Sequence, residues 1–293
     1  ASGVAAHAVA KDVSICSLER FFAGRPSLNG LAFGYGMIDA RRIDQARQFF
    51  TRAPDFGFSK TADETLHIWD HDKILADVVW VIRNFRPDVI VTRFSPEDEK
   101  THGHHTASAR LTREAVDAAA DPSRFPEQLD TLSPWKVRRL LWNTSPWFYD
   151  SPEKFDKSAL LQIDVGEYNP LLGVSFSELA ALSSSMHKSQ GFGSGATHGE
   201  CLEYLEHVEG ERAQKDLFEG IDTSWGRIAG GKPVAEILER AYRKYNPEDP
   251  ARVVPLLLEA RGRLASLSAG RWKSVKLQEL DRTIVACLGL YLE

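Results

Sequence analysis

The chain has 293 residues, of which 43% are apolar and 26% charged, with a net charge of -5. That is enough for one large domain, or one domain with an appendage, of ordinary soluble composition. The mild acidity excludes nucleic acid as the main partner, because phosphate binding needs a concentrated basic surface, and no apolar run approaches the roughly 20 residues of a transmembrane segment.

The first residues carry no signal-peptide pattern, as would also be true of a processed chain. Three cysteines, Cys16, Cys201 and Cys287, are far apart and odd in number. They suggest neither a disulfide framework nor a zinc knuckle, and read as small buried apolar residues. Any bound metal must then be held by His, Asp or Glu.

In chain order, residues 12–18 predict a short, weakly alternating strand. Residues 72–85 predict an amphipathic helix, with Ile74, Leu75, Val78, Val81, Ile82 and Phe85 at helical spacing. Pro87 ends that helix, and Val89-Ile90-Val91 is a β-branched core strand. A polar loop over 95–100, a His cluster and an Ala-rich helix over about 106–120 follow. Further strands are expected over 137–142 and 160–165, with the aromatic loop Trp147-Phe148-Tyr149 between them. A helix over 176–186 leads into His187-Lys188-Ser189-Gln190 and a Gly-rich loop over 191–195. The turn Gly230-Gly231-Lys232-Pro233 marks a composition shift. Beyond it, helices are expected over 234–245, 250–267 and 272–288. Residues 1–230 thus read as one α/β domain with a mostly parallel sheet. Residues 231–293 read as a helical appendage or the start of a following domain.

His102, His104 and His105 fall within four residues. They lie just past the C-terminal end of a core strand, where open α/β sheets bind ligands. The adjoining helix N-terminus adds donors and partial positive charge. Imidazole is a common zinc ligand, and catalytic zinc takes three protein ligands plus water. A solvated polar turn is the bland alternative, and the clustering favours a site. Helical spacing groups His102 with His105 and turns His104 elsewhere. One of the pair could bind metal while the other faces substrate, and spacing does not say which.

His102-Gly103-His104-His105, between strand and helix, resembles the His-Pro-Asp-His motif of LmbE-like (PIG-L) deacetylases. Several other stretches resemble the large bacterial branch of that family: Ala40-Arg41-Arg42-Ile43-Asp44, Phe50-Thr51-Arg52-Ala53, Asp55-Phe56-Gly57-Phe58-Ser59-Lys60, residues 86–94, residues 121–128, and Met186-His187-Lys188-Ser189-Gln190. The resemblance implies a Rossmann-like three-layer sandwich with one catalytic zinc. The implied activity is removal of acetyl from an N-acetylglucosamine-type sugar or conjugate. It implies His105 and His7 as metal ligands and His102 as the donor to the oxyanion or leaving amine. His104 stands at the motif's Asp position and would orient its neighbours. His187, Lys188 and Gln190 would line the substrate side. The resemblance also points to a small amino-sugar substrate, an exported or periplasmic chain, and further C-terminal domains in a longer parent.

The first family motif, Ala-His-Pro-Asp-Asp-Glu, is incomplete. The nearest string is Ala6-His7-Ala8-Val9-Ala10-Lys11, with no acidic residue, and Asp12 falls two positions late. Ser17-Leu18-Glu19-Arg20-Phe21-Phe22 replaces the family's Gly-rich stretch, so the first 39 or so residues diverge. Either the chain is a sugar-binding pseudo-enzyme, or segments are missing, or another carboxylate such as Asp12 or Glu97 serves as base. A zinc amidohydrolase acting on a non-sugar amide is a further reading.

Other residues invite weaker readings. Asp44 could touch the site, but a charged residue in a helix usually faces water or a nearby Arg. Asp55, after Pro54, reads as a turn former. His67 and His71 have metal-binding helical spacing but sit among Asp70 and Asp72 on a solvated face. His198 and His207 read as surface residues. Trp142, Trp147, Phe148 and Tyr149 could stack on a sugar, and core burial explains them equally well.

Overall fold

The computed structural model of the chain describes residues 15–16, 39–44, 46–54, 56–97, 101–169, 173–188, 195–196 and 198–289. It divides into two compact units, residues 1–219 and 220–293.

In the first unit, β1 (Ile15–Cys16) is followed by α1 (Ala62–Trp69) and α2 (His71–Phe85). Thr61 starts α1 by accepting the Glu64 N–H at 3.2 Å, a side-chain N-cap. Asp70, at φ 61°, separates α1 from α2. α2 buries Ile74, Leu75, Val78, Val79, Val81 and Ile82, the stripe its apolar spacing predicts. It stops at Arg86, at φ 57°, just before Pro87. β2 (Val89–Thr92) is buried at all four positions, which is why its sequence is a continuous apolar run. The Ala-rich α3 (Gly103–Ala120) packs with α2 against Ile90 and Leu140 on one face of the sheet.

β3 (Arg139–Thr144), β4 (Leu161–Asp164), the short β5 (Tyr168–Asn169) and β6 (Val174–Ser175), α4 (Phe176–Ser185) and β7 (Leu202–Gly210) complete this unit. The main sheet has the order β1-β2-β3-β7-β4. β1 and β3 are parallel to β2, whereas β7 is antiparallel to both β3 and β4. The sheet is therefore mixed, which corrects the mostly parallel sheet expected from sequence. The cause is β7, which inserts between two strands that run the same way. The C-terminal ends of β2 and β3 and the start of β7 consequently meet at one edge.

A buried cation secures the packing of α2 against α3. Arg83 of α2 is 0% exposed and has no carboxylate among its hydrogen-bond partners. Its guanidinium donates to the carbonyls of Ala118, Ala119, Asp121, Arg124 and Phe125, at 2.8–3.2 Å. These include the orphan acceptors at the end of α3, where a positive charge also complements the helix dipole.

The second unit consists of α5 (Lys232–Lys244), α6 (Val254–Ser266) and α7 (Gly270–Cys287). Its own core includes Val234, Ile237, Leu257, Leu264, Leu280 and Ile284. Arg261 of α6 pairs with Asp281 of α7. The turn at Gly230-Gly231 lies inside this unit, ahead of Pro233 in the first turn of α5. Cys287 is buried and Cys201 half-buried, both as free thiols.

Candidate functional site

β2 delivers the chain to the sheet edge at Arg93 and Phe94, and α3 begins at Gly103, after ten intervening residues. His102 is the N-cap residue of α3, in non-helical geometry (φ -54°, ψ 135°). Its carbonyl accepts the His105 N–H at 2.8 Å, which fixes the first turn. Gly103 follows because nothing larger fits. A Cβ there would lie 2.1 Å from Ser59 Oγ and 2.2 Å from the Thr61 carbonyl oxygen. The Gly103 N–H donates to the Ser59 carbonyl at 3.1 Å, so the segment over 59–61 clamps the helix start.

The three imidazoles are ordered by aromatic neighbours. His104 stacks on Phe56 at 4.5 Å and meets the edge of Trp69 at 5.2 Å. Trp69 is itself fixed by its indole N–H, which donates to the Pro54 carbonyl at 3.0 Å. Phe58 meets His102 edge-on at 4.4 Å, and Phe94 lies flat on His105 at 3.8 Å. His102 Nδ1 and His104 Nδ1 are 2.9 Å apart. Helical spacing had separated those two, but His102 stands outside the helix, so the wheel does not apply to it. The 2.9 Å contact needs one proton between two nitrogens. When both rings are neutral they must therefore be opposite tautomers, one with Nε2–H and one with a free Nε2 lone pair.

Burial favours the neutral form of His102 and His105. Desolvation lowers the His102 pKa. Desolvation, then the charges of His102 and His104, lower that of His105 to about 4. His105 retains a solvent-accessible side, so water screens part of this effect, and its direction is what matters. A neutral imidazole is the form that ligates a metal. Among the described residues, however, no group of three His, Cys, Asp or Glu side chains is placed to hold an ion.

A polar line runs along the same edge of the sheet. Arg93 donates to the backbone carbonyl of Asn143 at 2.9 Å and to its Oδ1 at 3.1 Å, and Asn143 Nδ2 donates to Glu203 at 2.7 Å. The Arg93 guanidinium also covers the ring of Phe148 at 5.4 Å. Phe148 in turn touches Phe94, so the β3 loop is joined to His105 through two rings.

The other sequence candidates are dispersed. His7, Gln190, Asp12 and Asp55 lie outside the described residues. His187 is buried after α4, and Lys188 is exposed. Asp44 is buried, paired with Arg41 and accepting from Ser183 Oγ at 2.9 Å. His67 and His71 do not share a helix, because Asp70 breaks it between them. His71 instead bridges Asp72 at 2.9 Å and Glu114 at 2.8 Å. Glu97 is exposed and receives a hydrogen bond from Arg113 at 2.6 Å. His198 is exposed, and His207 Nε2 lies 3.0 Å from the Gly210 carbonyl. Trp142 is buried and donates to the Arg93 carbonyl at 3.2 Å, whereas Trp147 is exposed. Sequence reading did not assign Phe56, Phe58 and Phe94 to the site. Their one signal was the alternation of Phe56 and Phe58 around Gly57, ahead of the Ser59-to-Thr61 clamp.

The PIG-L family, described as GlcNAc-PI de-N-acetylase, matches residues 5–116. The 1D-myo-inositol 2-acetamido-2-deoxy-alpha-D-glucopyranoside deacetylase of Streptomyces avermitilis is 29% identical over 181 residues, covering 52% of this chain and 60% of that protein. The enzyme of the same name from Geodermatophilus obscurus is 36% identical over 86 residues, covering 29% of this chain and 28% of its own length. The chain therefore spans less than two thirds of these relatives. The N,N'-diacetylchitobiose deacetylase of Pyrococcus horikoshii superposes with a TM-score of 0.42 at 13% identity, covering 64% of each chain. Residues 5–116, which contain the motif at His102 to His105, are thus similar to the PIG-L (LmbE-like) family.

Proposed function

We propose that this chain is a zinc-dependent N-deacetylase acting on an N-acetylglucosamine-type sugar or its conjugate. The observation that carries the reading is the histidine cluster at the end of β2. Two of its imidazoles meet Nδ1 to Nδ1 at 2.9 Å, and burial lowers the pKa of the third. In this reading His104 Nδ1–H donates to His102 Nδ1, so His102 presents Nε2–H. That Nε2–H donates a hydrogen bond to the oxyanion as the acetamide carbon becomes tetrahedral. His104, held by Phe56 and Trp69, positions His102.

His105 and His7 would hold the zinc ion; the neutral ring of His105 has the donor chemistry this requires. Zinc supplies Lewis acidity that polarises an amide carbonyl and acidifies water. His187, Lys188 and Gln190 are assigned to the substrate side, within a Rossmann-like domain. The relatives' names support the amino-sugar substrate. No described helix is long and apolar enough to cross a membrane. The expected export of the chain and its longer parent belong to the same reading.

A second reading, a sugar-binding protein without catalysis, is favoured by the absence of acidic residues beside His7. Metal content and acetate release from N-acetylglucosamine conjugates separate the two, measured on the wild type, after chelation, and on His105→Ala. Acetate release that is lost on chelation and restored by zinc supports the enzyme. A metal-free wild type that releases no acetate sinks it. Full metal content in His105→Ala removes that residue from the ligand set.

A further inference from the structure

Among the described residues, the two most exposed large hydrophobic side chains are Trp147, at 73%, and Phe58, at 70%. Single exposed aromatics are ordinary, but these two are connected to the same three imidazoles. Phe58 touches His102 directly. Trp147 packs edge-on against Phe148 at 4.8 Å, Phe148 against Phe94 at 5.7 Å, and Phe94 on His105. Each ring thus meets an aromatic neighbour edge-on and leaves most of its surface open to solvent.

The support is rigid. Trp147 sits in the short 3-10 turn Pro146–Phe148, where Pro146 restricts the backbone. The Phe148 N–H donates to the Ser145 carbonyl at 3.1 Å, and the Tyr149 N–H to that of Pro146 at 3.1 Å. Phe148 is also held by Trp142 at 5.2 Å and by the Arg93 guanidinium. A turn restricted in this way loses little backbone freedom when a ligand covers Trp147. A flat, solvent-open indole face suits the C–H face of a pyranose ring better than it suits a lipid chain.

We propose that Trp147 and Phe58 are specificity residues that flank the histidines and stack on saccharide rings. Trp147 takes the unit adjoining the acetylated one. The site would then select an amino sugar within an oligosaccharide or glycoconjugate over the free monosaccharide. The proposal rests on the amino-sugar reading of the same site.

The test uses the full chain with N,N'-diacetylchitobiose and N-acetylglucosamine as probes. It compares wild type, Trp147→Ala, Trp147→Phe and Phe58→Ala, each checked for folding by far-UV circular dichroism. In the wild type the disaccharide should change the intrinsic tryptophan fluorescence, and Trp147→Ala should abolish that change. Trp147→Ala should also raise KM for the disaccharide about tenfold, with a smaller rise for the monosaccharide, while Trp147→Phe recovers most of it. Phe58→Ala should weaken both sugars. Equal losses on the two sugars in Trp147→Ala, or wild-type behaviour of that variant, would overturn the proposal. If the wild type releases no acetate, the deacetylase reading falls, and the fluorescence titration still decides whether Trp147 meets a sugar.

Discussion

Replacing Gly103 with alanine tests how tightly the start of α3 must be held for the histidines to converge. The new Cβ would lie 2.2 Å from the Thr61 carbonyl oxygen, a backbone atom that cannot rotate away. Ordinary carbon–oxygen contacts are about 3.3 Å, so the helix start or the 59–61 segment must move by about 1 Å. Overpacking of this kind costs about 1–3 kcal/mol. Loss of the hydrogen bond from Gly103 to Ser59 adds about 1 kcal/mol, and the better helix propensity of Ala returns up to about 1. The net of about 1–3 kcal/mol should lower the melting temperature by roughly 3–10 °C in thermal denaturation followed by circular dichroism. The same displacement reaches His102, His104 and His105. A misplacement of about 1 Å should lower kcat/KM for acetate release by about 100-fold, well beyond what the lost stability explains at 25 °C. Wild-type melting and wild-type turnover in Gly103→Ala would show that the clamp is dispensable.

Arg83→Met removes the cation that six acceptors share and takes the donor from the Ala118 carbonyl at the end of α3, while the Ala119, Asp121 and Phe125 carbonyls keep a backbone N–H. A loss of about 3–5 kcal/mol is expected in urea unfolding, and a change below about 1 kcal/mol would refute the account. His71 is set by opposing effects: desolvation lowers its pKa, but hydrogen bonds and charge from Asp72 and Glu114 outweigh it and raise the folded value. Its stabilising effect is therefore fully present below the unfolded pKa of about 6.5 and is lost as pH rises through the higher folded value. The ring is 38% exposed, so screening limits the effect to under about 1 kcal/mol. His71→Gln should lower the urea midpoint at pH 5.5 and leave it unchanged at pH 9, whereas equal losses at both would refute the sign. Asp44→Asn weakens the carboxylate that Arg41 and Ser183 share in the interior, with an expected cost of about 1–3 kcal/mol by the same assay.

Much of the molecule follows from local pattern. The apolar stripe of α2, the β-branched run of β2 and the helices of the second unit are written in residue spacing, and their burial follows from hydrophobic periodicity. β7 was not legible. Glu203, Glu206 and Glu209 interrupt any apolar alternation, and only Leu205 is fully buried along it. It forms because β3 and β4 supply hydrogen-bonding edges on both sides, a condition no local window contains. α1 was missed because it is only eight residues long and broken from α2 by a single left-handed residue.

For the site, the sequence by itself determined that three histidines follow a core strand and that they resemble a PIG-L motif. Tertiary structure decided how they relate. It paired His102 with His104 rather than with His105 alone, because an N-cap residue does not obey helical spacing. It also separated Trp142 from Trp147, burying the first within the sheet and leaving the second exposed on Phe148. Composition cannot distinguish two tryptophans five residues apart. Only the direction in which the chain leaves β3 places one inward and the other toward solvent.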